Sequence, residues 1–112
     1  MALTRNFRET VAKRAHYDHD FRAALMEEAL QAFLDGDVDE ARTLLRDCIN
    51  GTIGFASLSE ATNLPVKSLM RMVGPRGNPT MRHFSLVVHA LQEESAVRAL
   101  VEVKSCEKST AA

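Results

Sequence analysis

Few residues in this chain have both the type and the spacing that chemistry requires. The run HYDHD (16–20) offers metal ligands, but so short a run is more typical of a polar loop between helices than of a metal site. Cys48 and Cys106 stand far apart, outside any CxxC or Cys/His pattern, and Cys48 falls on an apolar helix face as core filler. We therefore expect no metal site, disulfide or cofactor.

Catalytic constellations are also missing from the sequence. His83 and His89 lie six residues apart on one predicted helix and so on different faces. The glycine-containing stretch GPRGNP (74–79) follows a helix and not a strand, unlike a phosphate-binding loop. No Ser/His/Asp, Cys/His or paired-carboxylate arrangement stands at a meaningful spacing, so the sequence does not predict an enzyme.

The distribution of charge carries more information than the net charge of −1. Residues 20–60 contain three basic and nine acidic side chains, whereas residues 61–92 contain four basic and no acidic ones. Ordinary helical bundles mix charge signs on their surfaces, and phosphate binding favours clusters of Lys and Arg. The acid-free stretch 61–92 therefore indicates a surface for nucleic acid.

The length of 112 residues and the 46% apolar content suffice for one core without disulfide or metal staples. The N-terminus lacks the apolar region of a signal peptide, and no stretch approaches the roughly 18 apolar residues of a membrane span. We expect a reducing, cytoplasmic location with no membrane partner. The predicted organisation is an N-terminal helical extension (1–19), one helical DNA-binding domain (20–104) and a flexible tail (105–112).

Helical patterns run through most of the sequence. They predict a weak surface helix from Thr4 to about His16, a helix capped by Asp20, and a third helix that begins at the capping box Asp37/Glu40. Towards the C-terminus, alternation in 97–103 predicts a short strand, which would pair with a second subunit or another protein.

Residues 57–73 have the pattern of two short helices joined by a tight turn. Ser57 and Glu60 have capping-box spacing and open the first helix, Asn63 suits a left-handed turn, and Pro65 suits the start of the second helix, 66–73. Ser59 is small enough for the second helix to cross. The apolar anchors would be Leu58, Leu64, Leu69 and Met72.

A further helix would follow the breakers Gly74, Pro75 and Gly77. Asn78 would cap it, with Pro79 in its first turn. The expected buried face consists of Met81, Phe84, Val88 and Leu91. The predicted class is thus all-α: a lambda-repressor-like helical bundle with a helix-turn-helix and extra N-terminal helices.

The second helix of such a motif enters the DNA major groove and presents its exposed side chains to base edges. Lys67 and Arg71 suit guanine, and Val66 suits a thymine methyl group. Met70 shares this face, and Ser68 at its margin suits a phosphate. Beyond the helix, the residues expected to contact the DNA backbone are Arg76, Asn78 and Arg82.

From Thr4 to about Val103, the chain resembles the lambda-repressor-like (XRE-type) antitoxins of HigBA and RelBE-type toxin-antitoxin modules. The matching stretches are TRNFRETV (4–11), ARTLLRDCINGTIGFASLSEATNLP (41–65), KSLMRM (67–72) and GNPTMRHFSLVVHAL (77–91), and GNPT is the most specific. The resemblance implies a dimer that represses its own palindromic operator and neutralises a small RelE/HigB-like mRNA endonuclease. Val66 and Met70 depart from the usual residues, so the family's base preference does not carry over.

Three functional hypotheses follow from these observations. The first is an antitoxin that represses transcription and binds a toxin, with the acidic segment 20–60, and Asp35, Asp37 and Asp39 in particular, facing a basic enzyme. The second is a phage-type or chromosomal transcription regulator without a toxin. The third is an interaction protein whose helix-turn-helix no longer binds DNA.

Overall fold

The computed structural model describes residues 5–107 and is all-α there, which confirms the all-α part of the prediction. Its six helices are α1 (Arg5–Tyr17), α2 (His19–Leu34), α3 (Val38–Gly51), α4 (Gly54–Thr62), α5 (Val66–Met72) and α6 (Met81–Ser95). The predicted helix start at Thr4 and the tail residues 108–112 lie outside the described residues.

The N-terminal caps explain where α2 and α3 begin. The Asp18 carboxylate accepts a hydrogen bond from the Phe21 N–H at 3.0 Å, so the cap predicted at Asp20 was wrong and Asp20 lies in the first turn. This hydrogen bond is also the main reason why the pKa of Asp18 is lowered. The cap predicted at Asp37 is confirmed, because its carboxylate accepts from the Glu40 N–H at 3.2 Å.

Two helix starts in the second half differ from the prediction. α4 begins at Gly54 rather than Ser57 and has no side-chain cap. α6 is capped by the Thr80 hydroxyl, which accepts from the His83 N–H at 3.1 Å, and not by Asn78. With this start, Met81 stands at the exposed end of the helix, 91% accessible, so its predicted burial was wrong.

The inward face of α6 consists of Val87, Ala90 and Leu91, with Phe84 and Val88 partly buried. The chain leaves α6 at Ala96, which has a left-handed backbone (φ 55°). Beyond it, residues 97–107 form no strand, contrary to the prediction. Val101 and Val103 are 81% and 89% exposed, because no second strand lies beside them within residues 5–107.

The core lies where α1, α2 and α3 pack together and where α4, α5 and α6 close over the inner face of α3. Gly51 of α3 approaches α1 so closely that a Cβ atom there would lie 2.6 Å from the Ala15 Cβ. The largest fully buried apolar side chains of the core are Cys48, Ile49, Leu58, Leu69 and Leu91. The core placement of Cys48 is confirmed, and burial raises the pKa of its thiol to about 12.

Two arginines tie α1 to the other helices. Arg8 donates two hydrogen bonds to the buried Asp47 carboxylate of α3, at 2.9 and 3.0 Å. Burial raises the pKa of Asp47, and the nearby Arg8 charge offsets only part of that effect. Arg22 of α2 donates to the carbonyls of Ala15, His16 and Ser95, and so holds the ends of α1 and α6.

Candidate nucleic-acid interface

The turn between α4 and α5 is fixed by hydrogen bonds from its own residues. Asn63 has the predicted left-handed backbone (φ 64°, ψ 23°), and its N–H donates to the Ser59 carbonyl at 2.8 Å. The Ser59 hydroxyl donates to the Leu64 carbonyl at 2.6 Å, so this small residue also holds the end of the turn. The Thr62 hydroxyl accepts from the Leu64 N–H at 3.3 Å. These contacts set the direction in which α5 leaves α4.

The α5 helix buries one face and exposes the other as the sequence predicts. Leu69 and Met72 are 1% and 9% exposed and anchor it to the core together with Leu58 of α4. Pro65 is the residue immediately before the helix, in an extended conformation, rather than its first helical residue. The four predicted reading residues are all exposed, namely Val66, Lys67, Met70 and Arg71. Ser68, predicted at the margin of this face, is partly exposed.

The loop 73–80 is held against α3 by Arg42, a residue that the sequence analysis did not select. Its guanidinium donates to the Pro75 carbonyl at 3.0 Å and to the Gly77 carbonyl at 3.1 Å. The same group pairs with the carboxylate of Asp39, one turn earlier on α3. A planar guanidinium suits this task because its donors point in fixed directions. No sequence signal identifies Arg42, since its partners are main-chain carbonyls.

Gly77 is required by a close approach to α5. A Cβ atom at this position would lie 1.9 Å from the Met72 carbonyl oxygen, far inside contact distance. The loop therefore folds back onto the C-terminal end of α5 only because residue 77 has no side chain. The Gly77 N–H also donates to the Gly74 carbonyl at 2.9 Å, which closes the tight turn that presents Arg76.

An open groove of about 350 Å³ runs between α5, this loop and the start of α6. It brings together four of the eight predicted DNA-contacting residues with the helix cap Thr80 and with His83. Those four are Ser68, Arg71, Arg76 and Asn78. We call this surface the α5 groove.

The remaining predicted residues flank the α5 groove without lining it. Val66, Lys67 and Met70 are exposed on α5, and Arg82 is exposed on the first turn of α6. The sequence does not predict a role for His83, because its spacing from His89 places the two side chains on different faces of one helix. The position of His83 three residues after the cap Thr80 is the signal that places it beside the loop.

The interface combines neutral and cationic donors with exposed apolar side chains and contains no carboxylate among the groove-lining residues. Arg71 and Arg76 bring permanent positive charge to it. Within residues 5–107, no group of three or more His, Cys, Asp or Glu residues is placed to hold a metal ion. None of the helices there combines the length and apolar character needed to cross a membrane.

Comparison with known proteins yields no family model, curated protein or solved structure that matches this chain.

Proposed function

We propose that this chain is a lambda-repressor-like helix-turn-helix protein that binds duplex DNA sequence-specifically and represses transcription. The observation that carries the proposal is the exposed face of α5, with Val66, Lys67, Met70 and Arg71, beside a carboxylate-free groove. An α-helix with its side chains is about 10–12 Å in diameter, which suits a major groove about 12 Å wide.

In this arrangement, α5 reads bases and the loop holds the backbone. Arg71 and Lys67 project long cationic side chains that suit guanine O6 and N7, and Val66 offers a methyl contact. Ser68, Arg76, Asn78 and Arg82 lie at the margins, where phosphates would run. The proposed repressor unit is a homodimer on a palindromic operator, with half-sites about 34 Å apart.

A fluorescence anisotropy titration with the chain's own upstream DNA and a shuffled duplex tests this proposal. Lys67→Ala or Arg71→Ala should cost about 1–3 kcal/mol on the operator and little on shuffled DNA, while Arg76→Ala should weaken both. Arg98→Ala, an exposed arginine beyond α6, is the matched control and should change neither. Equal losses on both duplexes for Lys67 and Arg71 would contradict base reading by α5.

We propose in addition that the chain acts as an antitoxin, neutralising a RelE/HigB-like mRNA endonuclease and regulating its own operon. This part is supported by the resemblance in sequence and by the acidic α2–α3 connection, where Asp35, Asp37 and Asp39 are all exposed. An enzyme that cuts RNA must attract phosphate, so a basic toxin complements such a surface. Co-expression with the adjacent gene product, followed by purification and an RNA-cleavage assay, tests this role.

A further inference from the structure

A cluster of exposed apolar side chains lies beside the acidic connection between α2 and α3. It consists of the exposed Phe33 from α2, Val38 from α3 and Met81 from α6, with the partly buried Phe84 of α6 beneath them, and we call it the Phe33 patch. Phe33, Val38 and Met81 are 45%, 48% and 91% exposed. The Phe33 and Phe84 rings stack with their centroids 4.6 Å apart, which gives the patch a fixed floor.

The patch surrounds a hollow of about 170 Å³ whose lining is mostly apolar. Its deeper walls come from Ala41, Leu45 and Met72, which belong to α3 and α5. Because α2, α3, α5 and α6 all contribute to it, the hollow is shaped before any partner arrives. Preformed apolar hollows surrounded by exposed apolar side chains mark places where a partner inserts a side chain.

The charges around the patch decide what kind of partner fits. Four acidic side chains are exposed between Phe33 and the first turn of α3, namely Asp35, Asp37, Asp39 and Glu40. Only Asp39 among these has an arginine partner, Arg42, in the part of the chain described. DNA and anionic membrane surfaces would be repelled by these carboxylates.

A second copy of the chain fits this surface poorly. A two-fold contact would bring the same patch of each subunit together, and therefore acidic side chains against acidic side chains. A basic protein avoids both kinds of charge repulsion, because its cations would face the carboxylates while one apolar side chain fills the hollow. The charge pattern thus favours a basic protein over DNA, a membrane or self-association.

We infer that the Phe33 patch docks a basic segment of the toxin that inserts an apolar side chain into the hollow. This inference rests on the proposed antitoxin function and locates its contact surface. The apolar contact supplies most of the affinity, and the carboxylates accelerate association and make it sensitive to salt. The affinity for the toxin therefore depends on the apolar contact as well as on charge.

The test measures binding of the adjacent gene product to the full chain by calorimetry, with operator binding measured in parallel. Met81→Gln replaces the exposed apolar side chain of Met81 with a polar one, adds no charge and changes helix propensity little. We expect it to weaken toxin binding at least tenfold and to leave the unfolding midpoint unchanged. Leu100→Gln, at a residue 83% exposed in the tail, is the matched control and should bind normally.

Met70→Gln provides the reciprocal control, because Met70 lies on the DNA-reading face of α5 and is 49% exposed. It should alter operator binding and leave toxin binding intact. Asp35→Asn should slow association and flatten its salt dependence; Asp35 is preferable to Asp37 because the latter caps α3.

The outcomes distinguish a failure of this inference from a failure of the proposed antitoxin function. If the toxin binds the wild type and Met81→Gln equally well, the Phe33 patch is not its site, and the antitoxin role still stands. If the wild type binds operator but not the adjacent gene product, the antitoxin role and this inference both fall. A change in sedimentation of Met81→Gln from dimer to monomer would also overturn the inference, since the patch would then be a subunit interface.

Discussion

Replacing Arg42 with Met should destabilise the chain and loosen the loop 73–80 together. Met retains much of the aliphatic stem but removes the hydrogen bonds to the Pro75 and Gly77 carbonyls. Gly77 is buried, so its carbonyl loses a charge-assisted bond worth about 1.5–3 kcal/mol and gains no water easily. Pro75 is exposed, and its carbonyl recovers a water molecule at little cost.

The ion pair with Asp39 adds little to this total. The Asp39 side chain is 89% exposed, and exposed pairs contribute about 0–1 kcal/mol. The expected loss is therefore about 2–4 kcal/mol in the free energy of unfolding, dominated by the Gly77 carbonyl. Because small domains are stable by about 5–15 kcal/mol, the variant should remain folded in the absence of denaturant.

Urea unfolding followed by circular dichroism measures this loss, and anisotropy with the operator measures the effect on the loop. Operator affinity should fall about tenfold, equivalent to about 1.4 kcal/mol, because Arg76 and Asn78 lose their fixed positions. Arg98→Met, at an exposed arginine beyond α6, is the control and should shift stability by less than about 0.5 kcal/mol. An Arg42→Met variant with the stability of the wild type would refute the role assigned to these two hydrogen bonds.

Two further predictions concern buried groups. In the native protein, a thiol reagent should modify exposed Cys106 rapidly and leave Cys48 unmodified, because Cys48 is buried with a pKa of about 12. Unfolding in urea should make the Cys48 thiol reactive as well. Rapid reaction of both thiols in the native state would contradict the burial of Cys48. The raised pKa of Asp47 means that its native carboxyl holds a proton more tightly than the unfolded one. The associated stability is present below the unfolded pKa and is lost as the pH rises through the native value. Wild type should therefore lose stability relative to Asp47→Asn over that pH range in urea titrations, whereas a constant difference would argue against the desolvation of Asp47.

The parts of the fold that the sequence predicted are those set by local rules. Asn63 adopts its left-handed turn, Asp37 caps α3, and Leu58 and Leu69 are buried, because each depends on neighbours within a few residues. Periodicity also identified the exposed face of α5 correctly. These features require no knowledge of how distant segments pack.

The errors arise where several local choices compete or where a distant segment decides. Asp18 and Asp20 both suit the N-cap of α2, and Asn78 and Thr80 both suit the N-cap of α6. The sequence pattern predicted Asp20 and Asn78, whereas the backbone geometry places Asp18 and Thr80 at the caps. The role of Arg42 depends on carbonyls more than thirty residues away in sequence, so no spacing rule reveals it. The tail alternates like a strand, but residues 5–107 contain no second strand for it to join.

The position of Arg42 also bears on how the proposed DNA-binding surface can lie close to acidic side chains. Asp39 and the loop 75–77 contact the same guanidinium, so this carboxylate lies close to the segment that carries Arg76. Unpaired, its negative charge would weaken the attraction of the loop for phosphate. Arg42 pairs with it and offsets part of that charge, whereas Asp35 and Asp37 have no arginine or lysine partner among the described residues. One arginine thus separates the acidic surface from the basic one, and it follows that Arg42→Met should weaken DNA binding more at low salt than at high salt, where the exposed Asp39 charge is screened.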